Sequence, residues 1–138
     1  MSTALDRLKN LTAKISSYEV ARKENMAALE SLYRSLGIEE KVPVFAELFD
    51  FKAMNLAGIS LSDETLGMPH EGKYVQIIAI TYERDAKVRN KNSSLAYFGR
   101  AEKLEAAQRD AIVAFILRWR FEKSFRTLEH YHTMLQRF

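Results

Sequence analysis

The last third of the chain, residues 92–138, constrains the fold most, because its pattern predicts one long helix or two helices end to end. Asn92, Ser93 and Ser94 are residues whose side chains accept hydrogen bonds from the first free amides of a helix. From Leu104 onward, apolar residues recur at spacings of three and four, which keep them on one helix face. A second apolar stripe lies on another side of the same turns, and a helix with two such stripes is normally buried. The second stripe consists of Ile112, Phe115, Ile116 and Trp119.

The length of this segment predicts a break in the helix. Continuous helix from Ser94 to Phe138 would be on the order of 65 Å long at about 1.5 Å per residue, which is longer than a domain of this size is wide. Gly99 is the residue near the start that bends most easily. The segment from Arg118 to Arg120, where the apolar stripe changes face, is the other candidate for the break.

The composition indicates one domain with one hydrophobic core over residues 1–138. The chain has 138 residues, of which 47% are hydrophobic, and this is sufficient for such a core. Only 5 Gly and 2 Pro are present, which argues against a turn-rich all-β fold. The sequence therefore predicts a mainly α, indeed all-alpha, helical bundle with long N-terminal and C-terminal helices.

Cysteines and membrane-spanning signals are both missing from the sequence. Because the chain has no cysteine, disulfides, thiolate zinc sites and cysteine nucleophiles are excluded. The amino terminus is polar and charged with no apolar run behind it, unlike a signal peptide. The apolar run at residues 111–117 is far shorter than the roughly 20 residues that cross a bilayer. These features predict a cytoplasmic protein without a membrane segment.

The N-terminal helix is predicted to run from a cap at residues 2–3 to about Leu36, where Gly37 can end it in a left-handed conformation. Its apolar residues follow a seven-residue repeat, interrupted by a polar middle layer of Arg22 and Asn25. In coiled coils one polar layer lowers stability but fixes the register or the number of partners. Two interpretations stay open: a homo-oligomer that forms a coiled coil through this helix, and packing within the chain, which we favour.

The middle of the chain has weaker patterns. Pro43 suits the first turn of a second helix, which would end near Gly58. Residues 74–83 are rich in β-branched and aromatic side chains, which favour a strand, yet they also fall at helical spacings. We favour a helix here, because two strands alone make a marginal sheet. The alternative is a small β-hairpin within residues 73–98.

Positive charge is concentrated in residues 83–138, which carry 12 Lys and Arg against 7 Asp and Glu, while the whole chain has a formal net charge of +3. Lysine and arginine neutralise phosphates, asparagine bonds to phosphate oxygens, and tyrosine offers a stacking surface for unpaired bases. An acidic protein surface would attract the same basic patch. The predicted binding residues are Arg84, Lys87, Arg89, Lys91, Asn92, Tyr97 and Arg100.

Arg126 and His132 are the candidate catalytic pair. An arginine followed a few residues later by a histidine within a helix resembles the motif of the HEPN ribonucleases, which are helical bundles of similar size. The resemblance implies that Arg126 stabilises charge on a scissile phosphate and that His132 exchanges protons near neutral pH. The alternative interpretation of His132 is a hydrogen-bonded core histidine, because it lies on the apolar row of the helix.

Other catalytic motifs are missing from the sequence. It contains no phosphate-binding glycine loop, no paired metal-ligand spacing and no serine nucleophile motif, so we expect no metal site and no cofactor. The leading hypothesis is a small non-enzymatic helical interaction protein, acting as a regulator, inhibitor or assembly subunit, that docks on an acidic macromolecular partner. A nucleic-acid-binding helical subunit and the ribonuclease are the alternatives.

Overall fold

The computed structural model describes residues 3–82 and 90–138, apart from the side chains of residues 14–17, 82 and 90, and it shows an α+β fold. Two long helices flank three β-strands in the chain order. The prediction of a mainly α, all-alpha helical bundle is therefore wrong. The elements are α1 (Ala4–Ser35), β1 (Ala53–Ala57), β2 (Tyr74–Tyr82), β3 (Asn90–Arg100) and α2 (Ala106–Leu135).

The two ends of α1 form where the sequence predicts them. At the start, the Thr3 hydroxyl accepts from the Asp6 amide at 3.1 Å and the Asp6 carboxylate accepts from the Thr3 amide at 3.2 Å. This reciprocal pair is a capping box, and it satisfies amides that have no partner within the helix. At the end, Gly37 takes a φ of +74°, the left-handed conformation that commonly follows a helix.

The sheet is antiparallel, with β2 in the centre between β1 and β3. Residues 74–82 are therefore a strand, and the helix that we favoured for residues 74–83 is wrong. The hairpin considered as the alternative lies within this larger sheet. A third strand adds hydrogen bonds and packing that a two-stranded hairpin lacks, and this removes the objection to a sheet in this part of the chain.

Two segments predicted to be helical lie in strands instead. β1 replaces the second half of the helix predicted from Pro43 to Gly58, and the first half is a 3-10 helix, Phe45–Asp50. Residues 92–94, predicted as a helix cap, lie in β3 opposite β2. In both segments the pairing with β2, an interaction between residues distant in sequence, outweighs the local preference.

α2 is one continuous helix of 30 residues, which makes it about 45 Å long. It begins at Ala106, after the N-cap residue Glu105, and not at residues 92–94. The predicted break is absent, because Gly99 lies in β3 and Arg118–Arg120 is helical. Neither α1 nor α2, as far as the structure describes them, is long and apolar enough to cross a membrane.

The hydrophobic core lies between the inner face of the sheet and one half of each long helix. Leu29 of α1, Ile77 of β2 and Phe115 of α2 have no exposed surface. The Trp119 ring is buried beside them, and its Nε1 donates to the Leu48 carbonyl at 2.8 Å, so its polar atom is satisfied. The second apolar stripe of the C-terminal helix is thus buried as predicted: Ile112, Phe115, Ile116 and Trp119.

α1 and α2 run antiparallel and meet through a polar layer beside the core. Glu122, only 3% exposed, accepts from Arg22 Nε at 3.0 Å, from Arg22 Nη2 at 2.9 Å and from Arg126 Nε at 2.9 Å. Asn25 Nδ2 donates to the Arg118 carbonyl at 2.9 Å, and Arg118 Nη1 donates back to Asn25 Oδ1 at 3.1 Å. The polar middle layer of the first helix is therefore a contact within the chain.

From this layer the two helices extend away from the core as two arms, residues 4–20 of α1 and residues 126–138 at the C-terminal end, of which Arg126 still belongs to the layer. Every side chain that the structure describes in the arms is exposed. The Tyr18 and Phe125 rings, with centroids 6.0 Å apart, mark the place where the arms begin. His132 lies in an arm and is exposed, so the interpretation of it as a core histidine is wrong.

Candidate functional site

The side of the sheet turned away from the core is the outer face. Val75, Ile77 and Ala79 of β2 are buried, so the residues that alternate with them point outward. Residues directly opposite each other on neighbouring strands share a face, which places Arg100 beside Tyr74. The outer face consists of Ala53, Asn55, Ala57, Tyr74, Gln76, Ile78, Ile80, Asn92, Ser94, Tyr97 and Arg100.

Two tyrosines stand side by side at one end of the outer face. Tyr74 of β2 is 56% exposed and Tyr97 of β3 is 61% exposed. Their ring centroids are 5.9 Å apart and their planes are inclined by 31°. Tyr97 lies opposite Gln76, the next outward residue after Tyr74, so the two rings are diagonal neighbours. Two large rings left half in water form a surface suited to a flat or apolar partner.

Guanidinium groups lie at both edges of the outer face. At the tyrosine end, Arg100 Nε forms an ion pair with Glu102 at 2.8 Å. Hydrogen bonds from its own amide and from the Gly72 amide, together with the charge of Arg100, lower the pKa of Glu102. An anionic ligand on this face would therefore compete with Glu102 for Arg100. At the β1 edge, Arg120 of α2 donates to Asn55 Oδ1 at 3.3 Å.

The structure brings some of the predicted binding residues together. Asn92, Tyr97 and Arg100 all lie on the outer face. Lys91 is exposed, but it pairs with Thr81 in a row that points to the opposite side of the sheet. The other predicted binding residues lie outside the described residues: Arg84, Lys87 and Arg89.

Tyr74 and Gln76 are outer-face residues that the sequence did not mark as a binding site. A signal for them exists in β2, where every second residue from 75 to 79 is apolar and buried. This period of two is obscured because Ile78 and Ile80 make the outward positions apolar as well. Without the register, nothing in the sequence places Tyr74 beside a residue of β3.

The predicted catalytic pair is not brought together within the chain. Arg126 donates to Glu122, and its guanidinium carbon lies 3.9 Å from the centroid of the Phe49 ring. His132 follows six residues later, about 120° away around the helix, and so projects from a different side of α2. Arg126 and His130 instead line one shallow hollow. The other residues that line this hollow are Lys123, Thr127 and Tyr131.

The resemblance to the HEPN ribonucleases stays a prediction, which the substitution His132→Ala tests. If the chain cleaves RNA through Arg126 and His132, this change abolishes cleavage and, because His132 is exposed, leaves the fold intact. His70→Ala, the same change at an exposed position far from Arg126 in the sequence, should leave cleavage unaltered. The measurement is cleavage of a labelled single-stranded RNA, and equal cleavage by both variants removes the prediction.

An open groove with a volume of about 550 Å³ runs between β1 and α2. Two of its cations hold the fold together, since Arg120 Nη2 donates to the Met54 carbonyl at 3.0 Å and Lys123 Nζ to the Phe49 carbonyl at 2.6 Å. Burial, opposed by Asp50 and aided by Arg126, lowers the pKa of Lys123. These contacts attach α2 to β1 and to the segment before it, so the cations of the groove have a structural role. It is lined by Lys52, Ala53, Met54, Asn55, Trp119, Arg120, Lys123, Ser124, Thr127 and Leu128.

In the part of the chain that the structure describes, no three His, Cys, Asp or Glu side chains are grouped so that they could hold a metal ion. No known protein family matches the chain, and comparisons with curated proteins and with solved structures found no significant match.

Proposed function

We propose that this chain is a small non-enzymatic interaction protein whose outer face accepts a single-stranded nucleic acid. The observation that carries the proposal is the exposed pair of Tyr74 and Tyr97, with ring centroids 5.9 Å apart. Unpaired bases stack on exposed aromatic rings, and this stacking contributes about 1–3 kcal/mol per base. Two neighbouring rings on a sheet can accept successive bases of a strand laid across it.

The residues around the tyrosines suit the backbone of such a strand. Arg100 carries a guanidinium that can pair with a phosphate, in exchange for its contact with Glu102. Gln76, Asn92 and Ser94 offer amide and hydroxyl groups that bond to phosphate, sugar or base edges. The net charge of +3 attracts a polyanion to the chain as a whole.

An acidic protein surface is the other partner that fits the positive charge. The carboxylates of such a partner would pair with the lysine and arginine side chains, and this pairing does not require exposed aromatic rings. The tyrosine pair is the part of the outer face that charge alone does not explain, and it favours bases over carboxylates. The two partners therefore differ in how much they depend on Tyr97.

The test of this proposal is binding of a labelled oligonucleotide of about twelve nucleotides, a length within the range of single-strand sites. Tyr97→Ala is expected to weaken binding by about 5-fold to 100-fold, because one stacked base loses its support. Tyr97→Phe, the matched control, keeps the ring and should keep most of the affinity. Fluorescence anisotropy measures both variants, and circular dichroism checks that the fold is retained.

Salt dependence separates a phosphate-binding site from other surfaces. The logarithm of the binding constant should fall linearly with the logarithm of salt concentration, and Arg100→Ala should reduce the slope by about one. Negligible binding at low salt would refute the proposal. Binding of poly-glutamate with equal affinity, unaffected by Tyr97→Ala, would assign the outer face to an acidic protein.

A further inference from the structure

The arms carry apolar stripes whose described side chains are largely exposed, apart from the contact of Tyr18 with Phe125. In α1 the stripe occupies positions 8, 11, 15 and 18, and in α2 it continues to the end of the chain with the same spacings of three, four and three. Leu8 is 60% exposed and Leu11 is 58% exposed, so more than half of each side chain is in water. The α2 stripe, exposed throughout, consists of Leu128, Tyr131, Leu135 and Phe138.

Helices of this length are not stable on their own. Short helices are marginal in water, and most of their stability in proteins comes from packing of an apolar face. The arms are helical to residues 4 and 135, yet beyond the rings of Tyr18 and Phe125 every side chain that the structure describes is exposed. The described part of the chain therefore supplies no surface that covers these two stripes.

We propose that this surface is the arms of a second copy of the chain, so that two copies form a four-helix bundle. A twofold interface uses the same patch on both partners and so needs a patch that matches itself. Apolar stripes meet this condition, and the charges beside them are of both signs and nearly balanced. Residues 4–20 carry two acidic and three basic side chains, and residues 126–138 carry one acidic and two basic ones.

The exposed apolar area is large enough for a stable dimer. Nine large apolar side chains on or beside the two stripes are between 40% and fully exposed. At about 100 Å² each they present on the order of 900 Å², compared with about 800 Å² per partner in a standard interface. These side chains are Leu5, Leu8, Leu11, Tyr18, Leu128, Tyr131, Met134, Leu135 and Phe138.

The dimer does not depend on the proposed function, because the arms and the outer face share no residue. If both hold, one particle carries two outer faces. A nucleic acid long enough to reach both would then bind more tightly than a short one, by the local concentration of the second face. If the chain fails to bind oligonucleotides, the proposed function is refuted, but the dimer proposal still stands.

The test is the mass of the full chain in solution, by size-exclusion chromatography with light scattering at micromolar concentration. The wild-type chain is expected to have twice the mass of one copy. The double variant Leu11→Glu with Leu135→Glu is expected to be a monomer, with a dissociation constant raised at least about a hundredfold, because two buried leucines per copy become charged. Leu66→Glu, at an exposed leucine outside the arms, should remain a dimer.

Subunit exchange provides a second readout. Since the chain has no cysteine, Ser62→Cys introduces one exposed labelling site, and donor-labelled and acceptor-labelled pools should show energy transfer on mixing. Excess unlabelled wild type should abolish the transfer, whereas the unlabelled double variant should not. A wild-type chain that is monomeric overturns the proposal. Binding of a monomeric wild type to lipid vesicles through the arms would assign the stripes to a membrane surface instead. An oligomer that persists in the double variant also overturns the proposal.

Discussion

Glu122→Gln is expected to lower the free energy of unfolding by about 3 kcal/mol, the cost of removing one partner from a buried ion pair. The carboxylate is 3% exposed and accepts hydrogen bonds from Arg22 and Arg126. Glutamine keeps the shape but removes the charge that compensates the half-buried Arg22. Urea denaturation measures the loss through the fluorescence of Trp119, the only tryptophan of the chain and 2% exposed.

Glu129→Gln is the matched control, because Glu129 also forms an ion pair with Arg22 but its side chain is 62% exposed. Exposed ion pairs contribute little, so this variant should lose less than about 1 kcal/mol. The comparison separates the effect of burial from the effect of charge, because each variant removes one carboxylate partner of Arg22. Equal losses in the two variants would contradict the assignment of Glu122 as the central residue of the polar layer.

The Glu122 carboxylate should also make the stability of the fold decrease at acid pH. Burial alone would raise the pKa of Glu122, but the hydrogen bonds and charges of Arg22 and Arg126 outweigh it and lower the pKa. Stability from a carboxyl with a lowered pKa is complete above its unfolded pKa, about 4.3, and is lost as the pH falls through the folded value. The wild type should therefore lose more stability between neutral pH and about pH 3 than Glu122→Gln does.

Gly58→Ala is expected to destabilise the fold by about 3 kcal/mol or more, because two costs act at one position. Gly58 has a φ of +86°, which is strained for a residue with a Cβ. An added Cβ would also lie 2.6 Å from the Tyr74 carbonyl oxygen and 2.9 Å from the Val75 Cα. Both are backbone atoms of β2, so the strand itself must move. Urea denaturation followed by Trp119 fluorescence measures the loss.

Gly72→Ala separates the two costs. Gly72 has a φ of +77°, but an added Cβ there would meet nothing within 4 Å. This variant should therefore lose only about 1–2 kcal/mol, from backbone strain alone. Because Gly58 touches the backbone of Tyr74, Gly58→Ala should also weaken oligonucleotide binding, and Gly72→Ala should not. Similar stability of the two variants would show that the close approach of Gly58 to β2 is not required.

The two ends of α1 and the buried stripe of α2 could be predicted because they depend on residues close in sequence. Thr3 and Asp6 cap each other across three residues, and Gly37 ends the helix by its own conformation. The strands could not be predicted in this way. β1 has no β-branched residue, and β3 contains the cap-like residues 92–94, so each is a strand only because β2 lies beside it.

The candidate site could be predicted only in part for the same reason. Asn92, Tyr97 and Arg100 could be predicted as binding residues because they lie close together in the sequence, near basic residues. Tyr74 lies 23 positions before Tyr97, and their contact depends on a register that shifts between Val75 and Gln76. A pattern along one strand cannot specify which residues of the next strand lie beside it.

The contact of Arg120 with the β1 edge also limits how the sheet can grow. Its guanidinium takes up the Met54 carbonyl at 3.0 Å, on an edge strand that packs beside α2. A fibril built by strand addition needs two open edges in every unit, one for each neighbour. Strand addition at this edge would have to displace the Arg120 guanidinium from the Met54 carbonyl, so one of the two edges that a fibril needs is obstructed at this position.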